Sequence, residues 1–284
     1  MSNEPKIAIA LGGGAARGLA HIVILEALDE LGVKPSFISG CSIGALLGAA
    51  YASGLSAAAI REHALSVLGT PGSAAKQLFW PKNGNRNSKA INLSLFRPIS
   101  LNGIGLVQLV SPPGMAARIE DTEIPFCVVS TDFYSGAEVT IDQGDLEAAV
   151  AASIAIPGVI SAPKLNGRVM IDGAYTNPVP VAQARRSGCD ILVGIDVTGR
   201  PRLPEDKGGA DPGPVELMLG ATQIMQKRII HMQNTLARPD VFISPNIHSF
   251  SAHEFLKIEE ILAAAEPERE ALKRRLEPLL AAAG

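Results

Sequence analysis

Apolar runs of about five residues, bounded by glycine and proline, alternate along this chain with longer stretches whose apolar positions recur at helical spacing. The run KIAIAL, Lys6 to Leu11, predicts a short buried strand. After a glycine-rich break, GLAHIVILEALDELG places Leu19, Ile22, Val23, Leu25 and Leu28 at helical spacing, and Gly32 after Leu31 is a helix-stop signal. PSFISG predicts a second strand, and the small-residue segment after Ser42 a helix suited to close packing on a sheet. Further strands are predicted at 125–131, 137–141, 167–172, 190–197 and 240–245. Helices are predicted at 145–155 and 214–236, with two more at the C-terminal end parted at Pro267. Strands that alternate with helices imply an α/β fold, a three-layer α/β/α sandwich with a mostly parallel central sheet.

Two segments depart from this rhythm. Residues 70–118 hold GTPGS, PKNGNRNS and SPPG, with Phe79, Trp80, Leu93, Leu95, Phe96, Ile99, Leu101, Ile104 and Leu106 between them. So long an irregular insertion reads either as a cover over a binding site or as a peripheral helical subdomain. From Pro35 to Ile60 no residue is charged, a length that would suffice for a membrane span. Glycine and serine interrupt that run repeatedly, and a buried strand, tight turn and buried helix in series give the same hydropathy. The chain is therefore expected to be one domain over residues 1–284, with 70–118 as a variable cover.

The 284 residues are 47% hydrophobic and 19% charged, a globular composition. A net charge of −3 argues against a general nucleic-acid binder, which needs a basic face. Cys41, Cys127 and Cys189 are scattered without a CxxC pair, which argues against a disulfide framework or zinc site and suits a reducing compartment. The start, MSNEPKIAIALGGG, carries Glu4 and an apolar run too short for a signal peptide, so a cytoplasmic location is expected.

Candidate chemistry lies in three places. Gly12-Gly13-Gly14-Ala15-Ala16-Arg17-Gly18 sits between a strand and a helix, where glycines let backbone amides crowd one point. Such a nest binds a phosphate or an oxyanion. A P-loop is excluded because no Gly-Lys-Ser/Thr follows, and a dinucleotide fingerprint half fits, with Arg17 at its third glycine position. Gly40-Cys41-Ser42-Ile43-Gly44 spells G-x-S-x-G, which puts a serine on a sharp strand-to-helix turn. Asp172-Gly173-Ala174 ends a strand. All three are expected at the carboxyl ends of strands in one parallel sheet, where α/β folds place their ligands.

The segments ALGGGAARGLAHIVILEAL, GCSIGA, ASIAIPGVISAP and DGAYTNPVP, in this order over roughly residues 6 to 200, resemble the patatin-like phospholipases. The resemblance implies an acyl hydrolase with a serine–aspartate dyad. Mapped here, Ser42 is the nucleophile within the elbow glycines Gly40 and Gly44, and Asp172 is the base. Gly12, Gly13 and Gly14, with neighbouring amides of Ala15 to Arg17, form the oxyanion hole. Ala15 replaces a glycine found in many members; its amide still serves unless the position needs a positive φ. Arg17 reads either as an ion-pair partner that fixes the loop or as a contact for an anionic head group.

An aspartate of ordinary pKa, about 3.9, is a weak base for a serine hydroxyl. Burial can raise it, and an oxyanion hole stabilises the charge that forms. The rival is a Ser–His–Asp triad, for which His231, His248 and His253 follow Asp172 in chain order. His21 reads as a packing residue and His63 as part of a polar helix. No His-x-x-x-His or carboxylate cluster suggests a metal, and no cofactor is expected. The expected function is hydrolysis of carboxylic esters of lipids, phospholipase A or lysophospholipase in type, with a lipid or acyl-ester substrate and peripheral membrane contact. The reading from another class is a non-catalytic lipid-binding protein on the same fold.

Overall fold

A computed structural model describes residues 5–69, 101–201 and 211–283. Its sheet holds β1 (Ile7–Leu11), β2 (Phe37–Cys41), β3 (Phe126–Asp132), β4 (Glu138–Ile141), β5 (Lys164–Leu165), β6 (Arg168–Asp172), β7 (Ile191–Ile195) and β8 (Val241–Ile243). The strand order is β5-β6-β3-β2-β1-β7-β8, with β4 also on β3. β3, β2, β1, β7 and β8 run parallel, whereas β4 and β6 are antiparallel to β3. The helices are α1 (His21–Glu30), α2 (Ile43–Ala52), α3 (Ala57–Leu68), α4 (Gly103–Val110), α5 (Leu146–Ser153), α6 (Val181–Arg186), α7 (Pro214–Ala237), α8 (Ile258–Ala265) and α9 (Pro267–Ala283).

The apolar alternation of β1 sorts the layers. Ile7, Ile9 and Leu11 join the main core with α1, α2, α5, α8 and α9. Ala8 and Ala10 face the other way, and their small side chains let Val181 and Ala184 of α6 and Ile230 of α7 approach the sheet. The result is the three-layer α/β/α sandwich. α1 ends as its sequence implies: Gly32 takes φ +66°, with Gly32 N–H donating to Asp29 O and Val33 N–H to Leu28 O, which satisfies the last carbonyls. Asp145 caps α5 by accepting from Ala148 N–H at 2.8 Å. The uncharged stretch Pro35–Ile60 resolves into β2, a turn, α2 and the start of α3. Among the described residues no helix is long and apolar enough to cross a membrane.

Candidate active site

Ser42 sits between the last residue of β2 and the first of α2 at φ +54°, a conformation that non-glycine residues rarely adopt. Close packing forces that turn. A Cβ on Gly44 would lie 2.2 Å from Leu11 O, and one on Gly40 2.6 Å from Ala45 Cα. The G-x-S-x-G spacing thus reflects backbone running against backbone on both sides of the serine. The start of α2 lies beside the hydroxyl and contributes favourable potential for a developing negative charge.

Asp172 reaches Ser42 by a route the sequence did not reveal. The expectation was that both residues leave strands of one parallel sheet; β6 instead runs antiparallel to β3. Pro125 O accepts from Ile38 N–H, so odd-numbered residues of β3 face β2, while Asp132 N–H donates to Ala137 O beside β4. Phe133 N–H, on the odd side, donates to Val169 O of β6. β6 therefore lies on the same edge of β3 as β2, and the two strands meet end to end. Adjacent β3 residues, Val129 and Ser130, are the register partners of Cys41 and Asp172. Ser42 Oγ consequently donates to Asp172 Oδ2 at 2.7 Å. Asp172 Oδ1 accepts from Ala174 N–H at 2.8 Å.

Both side chains are buried, Ser42 5% and Asp172 3% exposed. Burial raises the Asp172 carboxyl from its ordinary 3.8 to about 6, against the opposing pull of the hydrogen bonds from Ser42 and from Ala174 N–H. The carboxylate is thus a better proton acceptor than an exposed one, yet ionised at neutral pH. The neighbouring Cys41 thiol is pushed well up by burial and by the Asp172 charge, so it stays neutral.

The glycine loop crosses directly over the serine: a Cβ on Gly13 would lie 3.2 Å from Ser42 Cβ. Not all of its amides are free, which narrows the expected oxyanion hole. Gly12 N–H donates to Ile195 O at 3.0 Å, Gly13 N–H to Pro178 O at 2.9 Å and Ala16 N–H to Ala252 O at 3.0 Å. The amides of Gly12 and Gly13 thus donate within the fold, whereas those of Gly14 and Ala15 donate to no carbonyl among the described residues. Ala15 does take a positive φ, +50°, so its position is one that favours glycine. Arg17 is buried and donates to Phe250 O at 3.1 Å and Val197 O at 3.3 Å, which ties the loop to two later segments. Burial lowers its pKa to about 10 despite the Asp196 charge.

Among the described residues no histidine is hydrogen-bonded to Ser42 Oγ, whose partner is Asp172. His21 is fully buried with Nε2 2.8 Å from Gly12 O, and burial lowers its pKa to about 4. It is therefore neutral, with Nε2–H donating to the Gly12 carbonyl. His63 contacts Val110 O at 3.2 Å. His253 lies at the rim of the site. His231 and His248 do not line it.

Two cavities open on Ser42. One, of about 260 Å³, is apolar, walled by Leu19, Leu46 and Leu47 of the core and by Leu101, Leu106 and Val110 of the insertion. The other, of about 540 Å³, is lined by Arg200, Gln223, Gln226 and Ser251, among others. Ala15 borders both. The insertion's Phe79, Trp80, Leu93, Leu95, Phe96 and Ile99 lie outside the described residues.

A serine on an elbow, a buried aspartate accepting from its hydroxyl and a glycine loop above them meet at one point. The patatin-like phospholipase family model matches residues 9–185, from β1 through α6, so the chain belongs to the patatin-like phospholipase family. It is 31% identical over 205 residues to an NTE family protein of Mycobacterium tuberculosis, covering 72% of this chain and 52% of that protein. It is 35% identical over 199 residues to patatin-like phospholipase domain-containing protein 7 of Rattus norvegicus, covering 68% of this chain and 14% of that protein. The chain thus spans about half the length of the mycobacterial relative, 52%. VipD from Legionella pneumophila superimposes with a TM-score of 0.48 at 13% identity, over 98% of this chain and 67% of that one.

Proposed function

We propose that this chain is a lipid acyl hydrolase of the phospholipase A or lysophospholipase type, acting through a Ser42–Asp172 dyad. The observation that carries the reading is the 2.7 Å hydrogen bond from Ser42 Oγ to Asp172 Oδ2 at the junction of the two cavities. Asp172 takes the hydroxyl proton as Ser42 attacks the ester carbonyl. The amides of Gly14 and Ala15 receive the oxyanion, each such donor being worth about 2.7–4 kcal/mol where this has been measured. The intermediate then expels the alcohol, which takes the proton from Asp172, and leaves an acyl-serine. Water, deprotonated by Asp172, releases the fatty acid in a second such cycle.

The smaller apolar cavity suits the acyl chain, and the larger one, whose lining includes Arg200, Gln223 and Gln226, the alcohol and head group. Val159 and Leu219 are exposed at the cavity rim and suit a peripheral contact with a lipid surface. Of the expected cover 70–118, the described residues Leu101, Leu106 and Val110 wall the apolar cavity, and residues 70–100 lie outside the described residues. A hydrolysis screen over phospholipids, lysophospholipids and monoacylglycerols, with wild type beside Ser42→Ala, tests the proposal. Turnover and fluorophosphonate labelling are expected in the wild type and absent in the folded variant. Equal turnover in the two would overturn the reading, and a wild type with neither turnover nor labelling would favour the lipid-binding alternative.

A further inference from the structure

The end-to-end meeting of β2 and β6 leaves a gap in the ladder along β3. Val129 faces that edge at the last rung of β2, and the pairing with β6 begins at the next residue. Val129 O at the gap, buried in the sheet, has no strand amide to accept from and would be costly left alone. Ser153, the last residue of α5 and fully buried, fills the gap. Its hydroxyl donates to Val129 O at 2.6 Å and accepts from Ser42 N–H at 2.7 Å. Two residues further on, Ala155 O accepts from Asp172 N–H at 3.0 Å. Ser153 and Ala155 thus hold the backbones of both members of the proposed dyad, which no strand pairing joins directly.

We propose that Ser153 is the positioning residue of the site: its hydroxyl holds the strained backbone of Ser42 against β3, in register with the Asp172 that the same turn holds. This inference rests on the dyad reading above. A hydroxyl suits the place because one group must donate to a carbonyl and accept from an amide at once, which alanine cannot do. With that bond removed, Ser42 N–H and Val129 O lose their partners, and the turn at φ +54° is free to relax. A shift of about 1 Å at a reacting atom can cost about 10²-fold in rate.

The test is Ser153→Ala beside wild type and Ser42→Ala, with kcat, KM and the pH profile of kcat/KM on a soluble ester, and circular dichroism to establish folding. Ser153→Cys, which keeps a weaker donor and acceptor, serves if the alanine variant does not fold. The expected result is a fall in kcat of about 10²-fold with KM within about twofold. The acid limb of kcat/KM should also move to higher pH, because the Ser42 hydrogen bond that holds the Asp172 pKa down is loosened. A folded variant with wild-type kcat, or with lowered kcat and an unmoved acid limb, would overturn the positioning role. Activity persisting in Ser42→Ala would overturn the dyad reading instead.

Discussion

Replacing Asp172 by asparagine is expected to trade turnover for stability, with a dependence on pH that the burial of the carboxylate sets. The folded state holds this group at a pKa of about 6 against an ordinary 3.8. A raised carboxyl pKa means that folding favours the protonated form, so the charged form is a cost to the fold. That cost is absent below about pH 3.8, grows as pH rises and is complete above about 6. The difference in pKa corresponds to about 3 kcal/mol. Asparagine keeps the shape, with Oδ1 still able to accept from Ala174 N–H and Nδ2 able to donate to Ser42 Oγ, but carries no charge. Urea unfolding of the two proteins from pH 4 to 8 checks this. Asp172→Asn should be more stable at pH 8 by up to about 3 kcal/mol, roughly 6–12 °C in Tm for a chain of this size, and the gain should vanish near pH 4. Ester turnover should fall by at least about 10³-fold, the upper range for loss of a general base. A variant less stable at pH 8, or a gain independent of pH, would refute the account of the buried charge. Retained turnover would refute the role of the base.

Three further outcomes follow from the same geometry. The wild-type kcat/KM should lose about tenfold per pH unit below about 6, where Asp172 becomes protonated; a limb near 4 would mean that the carboxylate is not buried during catalysis. Ala15→Gly should raise Tm by about 2 °C, since the left-handed conformation costs alanine about 1–2 kcal/mol and glycine gives back part of that in unfolded-state entropy; a fall of that size would contradict the φ of +50°. Chelation with EDTA should leave hydrolysis unchanged, because nucleophile, base and anion donors are all supplied by the chain; loss of activity restored by zinc or calcium would count against the mechanism.

The sequence by itself determined the elements and the parts of the site. Buried strands read as short apolar runs and helices as 3.6-residue periodicity, because burial on two faces or on one stripe leaves no other pattern. Gly40 and Gly44 announced the elbow, since their spacing follows from local backbone contacts around Ser42. Only the tertiary structure decided how those parts act on one another. β6 runs antiparallel and abuts β2, a pairing between residues far apart in the chain that periodicity does not encode. Gly12 and Gly13 carry the same local signal as Gly14, yet their amides are taken by the carbonyls of Ile195, at the end of β7, and Pro178, both distant in the chain. Ser153 lies in the segment ASIAIPGVISAP, but that segment assigns it no role; its hydroxyl bridges Val129 O and Ser42 N–H only because α5 ends at the gap between two strands. Local sequence specifies what each segment can form, whereas which donor meets which acceptor depends on long-range packing that brings hydrogen-bonding groups together across more than a hundred residues.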